Sequence, residues 1–183
     1  MSKKHNSTDQ QKNIKSNSRR RMQIGISFTV IVIALAIIFM PKKNAQDTST
    51  VATTPVFKKQ GELTLTKSDG NSIVSIDIEI AGDDAKREVG LMGRSLMEQR
   101  QGMLFIFDEE FFASFWMRNT ILSLDMIFIN KQGKIVTIHK NTKPFSDDSY
   151  SATAMTLFVL EVNAGFTDKY GIKEGDIVSW KRN

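Results

Sequence analysis

The sequence predicts one small, mainly β domain of the sandwich, jelly-roll or barrel type, with one or two short helices and one transmembrane helix before it. Three observations predict this architecture. Apolar and polar residues alternate through much of the chain after residue 60, the alternating segments are short and separated by turn residues, and an uncharged apolar run lies near the amino terminus. With 183 residues, 40% of them hydrophobic, the chain suits one domain with extensions.

The apolar run covers residues 22–40 and has the length of a membrane-spanning helix. At about 1.5 Å per residue it would extend roughly 28 Å, close to the thickness of about 30 Å of a bilayer's hydrocarbon core. Arginines at 19–21 precede it and lysines at 42–43 follow it. Because most of the basic residues lie before the run, the positive-inside rule predicts a cytoplasmic amino terminus and a domain outside the cytoplasm.

Four segments follow from this topology. Residues 1–21 are a basic cytoplasmic tail, 22–40 a transmembrane signal anchor, 41–60 a flexible linker rich in Thr, Ser and Ala, and 61–183 the extracytoplasmic β domain. The expected location is the inner or cytoplasmic membrane, crossed once. Cleavage of the anchor stays open, although the small-x-small sequence at 34–36 lies inside the apolar run.

The formal net charge of +5 does not indicate a nucleic-acid partner. Nine Lys or Arg and one acid lie in the first 43 residues, whereas 16 bases and 19 acids lie from Asn44 onward. A domain that binds nucleic acid would carry its basic excess on the folded part, so the sequence predicts no such partner. The absence of cysteine also excludes disulfides, thiolate nucleophiles and zinc sites with cysteine ligands.

The domain is predicted to begin with a β-hairpin. Strands Glu62–Thr66 and Ile73–Ile80 flank the turn residues 68–71. The second strand alternates isoleucine or valine with Ser75, Asp77 and Glu79, which are predicted to form the solvated face of the hairpin. A short helix follows, because Asp83 or Asp84 can cap its amino terminus and a downstream glycine can end it.

Six further strands are predicted after the helix. A second hairpin turns at 130–133, and the polar stretch Thr142–Ala154 is the longest connection and a candidate rim or lid. The six strands are Met103–Phe107, Phe115–Met117, Leu124–Asn130, Lys134–Lys140, Leu157–Asn163 and Ile177–Trp180.

Two carboxylates interrupt apolar faces of these strands. Asp125 shares its face with Ile127 and Ile129, and Glu161 shares its face with other apolar residues of its own strand. Such a group must be paired, hydrogen-bonded or functional. The favoured interpretation is structural, with each carboxylate binding backbone amides or an arginine. In the alternative, both carboxylates line one pocket and work as acid and base. The candidate pocket or structural polar cluster comprises Arg94, Trp116, Arg118, Asn119, Asp125 and Glu161.

Other catalytic signals are sparse. His5 lies in the tail, His139 stands alone on its strand, and no phosphate-binding loop, G-x-S-x-G or H-E-x-x-H sequence occurs. The sequence predicts no metal and no cofactor. Cu(I) binding by methionines is a distant alternative, since thioethers suit Cu(I) but methionine more often fills cores. Trp116 and the pair Phe111–Phe112 are core or pocket wall, with core favoured.

Six short blocks of the chain occur in a characteristic order. The blocks are Gly90–Arg94, Gly102–Phe107, Phe115–Thr120, Leu124–Asp125, Leu160–Gly165 and Gly171–Asp176. In this order they resemble the domain-of-unknown-function 192 family. The resemblance covers about Ile73 to Val178, and one departure is Ser123, where the family usually has proline. It implies a compact, mainly β domain of sandwich or jelly-roll type, exported or membrane-anchored in prokaryotes, without an established activity, substrate, cofactor or set of catalytic residues.

Three functional hypotheses remain at this point. The first is a membrane-tethered domain that binds a small ligand, an envelope polymer or a partner protein without catalysis. The second is an envelope hydrolase that uses Asp125 and Glu161 as paired carboxylates, and the third is the methionine site for Cu(I). Carboxylates on opposite sides of the β domain would exclude the second hypothesis, because acid and base must reach one bound substrate.

Overall fold

The computed structural model describes residues 55–183, which contain a seven-stranded mixed sheet, a two-stranded sheet and two short helices. The prediction of a mainly β domain is confirmed. The predicted tail and anchor, and the linker up to residue 54, lie outside the described residues. Within residues 55–183, no helix is long and apolar enough to cross a membrane.

The described elements lie close to the predicted segments. The third strand is longer than predicted, and a two-residue strand lies inside the connection predicted as a rim or lid. In chain order the elements are β1 (Gly61–Thr66), β2 (Ser72–Ala81), α1 (Asp84–Val89), β3 (Gln101–Phe111), β4 (Ser114–Phe115), β5 (Leu124–Ile129), β6 (Ile135–His139), β7 (Tyr150–Ser151), β8 (Thr156–Asn163), α2 (Phe166–Tyr170) and β9 (Ile177–Arg182).

Strand order in the large sheet is β6-β5-β8-β3-β2-β1-β9. Both predicted hairpins are present, because β1 pairs antiparallel with β2, and β5 pairs antiparallel with β6. Strands β2 and β3 run parallel, so the chain must cross over between them, and α1 lies in this crossover. Asp83 caps α1 as predicted, since its Oδ1 accepts a hydrogen bond from Lys86 N at 2.9 Å.

One face of the large sheet carries the larger hydrophobic core, to which all seven strands contribute. A single core shared by all seven strands requires the sheet to curl. The two edge strands of the sheet, β6 and β9, approach each other at one end, where Lys134 and Ile177 form an isolated antiparallel β-bridge. The sheet is therefore strongly curled but is not a closed barrel, and its strands form one sheet where the sequence predicted a sandwich, jelly roll or barrel. Alternation alone cannot distinguish one curled sheet from two stacked sheets, because both bury every second residue.

The opposite face of the sheet is also buried. A second core of aromatic residues, methionines and leucines covers β3, β5 and β8, and the small β4–β7 sheet packs there. Every residue of β5 is consequently buried. Burial on both faces gives these strands continuous apolar sequence with no solvated side.

Candidate functional site

A cavity of about 320 Å³ opens on this second face, between α1 and strands β3, β4 and β8. A volume of this size lies at the lower end of the range for small-molecule sites. Five aromatic side chains and one buried carboxyl group give it its chemical character, and these are Phe105, Phe107, Phe111, Phe115, Trp116 and Glu161.

The aromatic walls pack against one another edge to face. Phe105 and Phe115 have ring centroids 5.0 Å apart at 89°, and Phe107 and Phe111 have centroids 4.8 Å apart at 73°. This geometry places the positive ring edge of one residue on the negative face of the next and holds both rings in place. The cavity therefore has a preformed apolar wall.

Glu161 lies at the centre of the strand arrangement behind the cavity. Its neighbours on the adjacent strands are Met103 of β3 and Met126 of β5, neither of which offers a charge or a strong hydrogen bond. The residue is 4% exposed and lines the cavity. Among the described residues, no side chain or backbone group forms a hydrogen bond or an ion pair with its carboxyl group, and desolvation is the sole cause of its altered acidity.

Burial raises the pKa of Glu161 to about 8, because a carboxylate in apolar surroundings loses the hydration that stabilises its charge. The group is therefore mainly protonated near neutral pH. In that state it can donate one hydrogen bond and accept others, whereas above its pKa it presents a negative charge to the cavity. Either state offers a ligand a strong polar partner at an otherwise apolar site.

Asp125 has a different environment. Its Oδ1 accepts hydrogen bonds from the backbone N–H groups of Asn141 at 2.9 Å and Gly165 at 3.2 Å. Its Oδ2 accepts from the backbone N–H of Thr167 at 2.9 Å and from the Thr167 hydroxyl at 2.7 Å. This carboxylate joins β5 to the loop after β6 and to the start of α2. The arrangement agrees with the structural interpretation, in which Asp125 binds backbone amides.

Asp125 and Glu161 point to opposite faces of the sheet. The register places Asp125 beside Val162 and Met126 beside Glu161. Residues directly opposite each other on paired strands lie on the same face of the sheet. Asp125 therefore faces the larger core with Val162, and Glu161 faces the second core with Met126. The alternative in which both carboxylates line one pocket is wrong, because Asp125 lies opposite Val162, the residue next to Glu161, and adjacent residues of a strand face opposite sides of the sheet.

The family comparison agrees with the resemblance seen in the sequence. Residues 64–180 match the model of the DUF192 family, described as an uncharacterized ACR. The chain belongs to this family. The comparison with curated proteins gave no match.

Two solved structures are similar to this DUF192 domain. A proposed transcription regulator from Sinorhizobium meliloti 1021 is 36% identical, with a TM-score of 0.65 over 69% of this chain and 97% of that one. A protein of unknown function from Novosphingobium aromaticivorans DSM 12444 is 35% identical, with a TM-score of 0.62 over 65% of this chain and 84% of that one. Neither description gives a ligand or a reaction for the family.

Arg94 of the DUF192 domain pairs with a residue that the sequence did not single out. Its Nη2 donates to Glu79 Oε2 at 2.6 Å, and Glu79 Oε1 accepts from Lys58 N at 2.8 Å. Both Arg94 and Glu79 are buried, and within the described residues Arg94 Nε and Nη1 have no hydrogen-bond partner. Arg94, one of the candidate members of the polar cluster, therefore has Glu79 as its ion-pair partner in place of Asp125 or Glu161. Glu79 was assigned to a solvated face, but that face is buried where Arg94 reaches it.

Trp116, Arg118 and Asn119 lie together at the surface beside the cavity. Trp116 is 51% exposed and forms part of the cavity wall. The Arg118 guanidinium lies over the Trp116 ring at 4.3 Å, and Arg118 Nε donates to Asp147 Oδ1 at 2.8 Å. Asn119 has a φ of 55° and its carbonyl accepts from Gly93 N at 3.0 Å, so it is a turn residue. These contacts place Trp116 at the site and Arg118 and Asn119 outside it.

The connection predicted as a rim or lid lies outside the cavity lining. This connection, residues 142–154, supplies β7, which pairs with β4 behind the aromatic wall.

Four methionines are buried in the second core, in the packing role expected of this residue. Within residues 55–183, no group of three His, Asp or Glu side chains could hold a metal ion. The four methionines are Met97, Met103, Met117 and Met126.

Sequence reasoning missed much of the aromatic wall. Phe105, Phe107 and Phe115 were assigned to strands without a role at the site, and Phe111 and Phe112 were predicted to be core or pocket wall, with core favoured. The structure leaves Phe111 40% and Phe112 64% exposed, and Phe111 lines the cavity. The available signal was the density of aromatic residues around the end of β3, since ligand pockets are lined mainly by apolar and aromatic side chains.

Proposed function

We propose that this DUF192 protein binds a small ligand in the cavity at Glu161 without catalysing a reaction on it. The observation that carries the proposal is Glu161 itself, a buried carboxyl group without a partner among the described residues, at an aromatic cavity. A buried polar group without a partner costs free energy unless a ligand or water satisfies it. A ligand with an apolar body and one polar group would fill the cavity and satisfy Glu161 together.

Catalysis has less support than binding. The hydrolase hypothesis required two carboxylates at one substrate, and Asp125 is engaged in four hydrogen bonds on the other face of the sheet. The cavity lining also contains Glu88, Ser114 and Thr120, but none of these forms a hydrogen bond with Glu161 that would pair it as acid, base or nucleophile. Methionine packing in the core likewise favours a structural role over Cu(I) binding.

Transcription regulation, the role proposed for the relative from Sinorhizobium meliloti, is not extended to this chain. From Asn44 onward the chain carries 16 bases and 19 acids. A DNA-binding surface gains most of its affinity from an excess of basic groups that neutralise phosphates. A partner protein or an envelope polymer that binds the exposed aromatic surface beside the cavity is the alternative to a free small ligand.

The binding test compares two adjacent phenylalanines. Phe111 lines the cavity and packs on Phe107, whereas Phe112 is outside the lining. We expect Phe111→Ala to weaken binding of benzyl alcohol by about 3-fold to 10-fold, the value of one aromatic contact, and Phe112→Ala to leave it unchanged. Full-length protein in lipid nanodiscs is titrated in a Trp180→Phe background, where the fluorescence of Trp116 in the cavity wall reports binding.

This pair of variants controls for surface hydrophobicity, because both remove an exposed phenylalanine from the same segment. An equal loss of affinity in both variants would assign the binding to the surface. A Trp116 signal that does not respond to benzyl alcohol in the parent protein would contradict the proposal.

We further propose that a membrane anchor at residues 22–40 holds this cavity outside the cytoplasm. The support is the apolar run with seven Lys or Arg before it and only two, Lys42 and Lys43, directly after it. We expect protease added to intact spheroplasts to remove the carboxy-terminal domain, as detected by an antibody against it. A cytoplasmic marker protein serves as the control for lysis, and a domain that stays protected until the cells are lysed would overturn this topology.

A further inference from the structure

We infer that the ligand of this cavity is an organic cation, whose positive charge pairs with the carboxylate of Glu161 between the aromatic walls. This inference rests on the proposed binding function and adds the class of ligand to it. The functional group involved is an amine or a substituted ammonium carried by a small apolar body. Three features of the described structure support it.

The first feature is the absence of a counter-charge for Glu161 among the described residues. Each arginine near the cavity already has an acidic partner, with nitrogen–oxygen distances of 2.5 to 2.8 Å. A positive charge for Glu161 must therefore come from outside this set. The three pairs are Arg87 with Asp84, Arg94 with Glu79, and Arg118 with Asp147.

The second feature is the aromatic lining. The face of an aromatic ring carries negative electrostatic potential and attracts a cation within about 6 Å, and recognition of ammonium ligands by several such rings is a recurrent use of this effect. Rings of this wall already attract cations of the chain itself. The Arg87 guanidinium lies 5.4 Å from the centre of the Phe107 ring, and that of Arg118 lies 4.3 Å from the centre of the Trp116 ring.

The third feature is the proton that Glu161 holds. Burial raises the pKa of this group to about 8, so a cation that needs the carboxylate must displace a proton to solvent at lower pH. Cation binding should therefore strengthen as the pH rises toward 8. A neutral ligand that accepts a hydrogen bond from the protonated acid should instead weaken above that pH. The two ligand classes thus differ in the sign of their pH dependence.

Few other titratable groups face Glu161. Its direct neighbours across both adjacent strands are methionines, and the next residues of the same row are Glu79, which is paired with Arg94, and His139 at the sheet edge. The cavity rim adds Arg87 and Glu88 from α1. Glu109 of β3 is exposed and lies outside the cavity lining, so its substitution is the control for a surface carboxylate.

The test uses benzylamine and benzyl alcohol, which have the same size and differ by an ammonium in place of a hydroxyl. Both are titrated against full-length protein in nanodiscs with Trp116 as the reporter, from about pH 6 to about pH 8, where an alkyl amine stays protonated. We expect the affinity for benzylamine to rise by roughly 10-fold per pH unit until it levels near the pKa of Glu161. Near pH 8 benzylamine should bind at least about 10-fold more tightly than benzyl alcohol.

Glu161→Gln keeps the shape and the hydrogen-bonding capacity of the side chain and removes its charge. We expect this variant to lose both the preference for benzylamine and its pH dependence, and to bind benzyl alcohol within about 3-fold of the parent. Glu109→Gln, which removes an exposed carboxylate outside the cavity lining, should change the affinity for neither ligand. Benzylamine that binds no more tightly than benzyl alcohol near pH 8, or a preference that survives in Glu161→Gln, would overturn the inference while leaving the proposed function intact. If the parent protein binds neither benzylamine nor benzyl alcohol, both the proposed function and this inference are overturned.

Discussion

Glu161→Gln is expected to be more stable than the parent protein by about 3 to 5 kcal/mol near pH 9, and to have nearly the same stability near pH 4. The reason is the burial of an acid without a partner among the described residues. Above its pKa the parent protein must hold a negative charge in an apolar environment. Glutamine has the same shape and no charge, so the variant avoids this cost.

The direction of the pH dependence follows from the two pKa values of Glu161. Burial raises the pKa in the folded protein to about 8, while 4.5 is the ordinary value that applies to the unfolded chain. The stability associated with this group is therefore fully present below about pH 4.5 and is lost as the pH rises through about 8. One group with these two values destabilises the native state by roughly 5 kcal/mol once both states are ionised.

Urea unfolding of the full-length protein between about pH 4 and pH 9 measures this effect, with Trp fluorescence as the signal. The difference in free energy of unfolding between Glu161→Gln and the parent is plotted against pH, so that other titrating groups cancel. Glu88→Gln, which removes an exposed carboxylate from the same cavity rim, should give a flat difference. Parallel curves for Glu161→Gln and the parent would show that Glu161 is not buried as described.

Asp125→Ala is expected to lower the free energy of unfolding by about 4 kcal/mol or more. The substitution removes both oxygens that accept hydrogen bonds from Asn141, Gly165 and Thr167. Each buried donor left without an acceptor costs about 1 to 3 kcal/mol. The loops that these bonds hold against β5 would also lose their attachment to the sheet, which adds to the loss.

Asp125→Asn separates the two contributions. It retains one oxygen acceptor but points an NH₂ group at donors, so we expect an intermediate loss of about 2 to 3 kcal/mol. Asp147→Asn is the matched control, because Asp147 is exposed and its ion pair with Arg118 is worth about 0 to 1 kcal/mol. Denaturant titrations of the three variants at constant pH give the comparison. A loss in Asp125→Ala no larger than that in Asp147→Asn would contradict the structural role of Asp125.

The two carboxylates illustrate how far sequence reasoning reaches. Both were recognised because they interrupt apolar faces, and both are buried in the structure. Their surroundings could not be derived in the same way. Asp125 accepts hydrogen bonds from residues 16 to 42 positions away, and Glu161 lies between two methionines of neighbouring strands. Contacts of this kind depend on strand pairing, which local alternation does not encode.

The pairing of Arg94 with Glu79 is a second contact that local alternation did not predict. Glu79 lies on a strand whose polar face begins with exposed residues such as Ser75, so the whole face was assigned to solvent. The chain after α1 returns across that face and covers its far end with Arg94. A strand can therefore be solvated at one end and buried at the other, and the change occurs where another segment crosses it.

The sequence by itself determined the mainly β class, the two hairpins, the capped helix α1 and the presence of two carboxylates in apolar faces. These depend on residue alternation, turn residues and caps, which act over a few neighbouring positions. Tertiary structure alone decided that the strands form one curled sheet, that Asp125 and Glu161 lie on opposite faces of it, and that aromatic side chains enclose Glu161. The physical reason is that both faces of the central strands are apolar, so their sequence does not specify which neighbour each face meets.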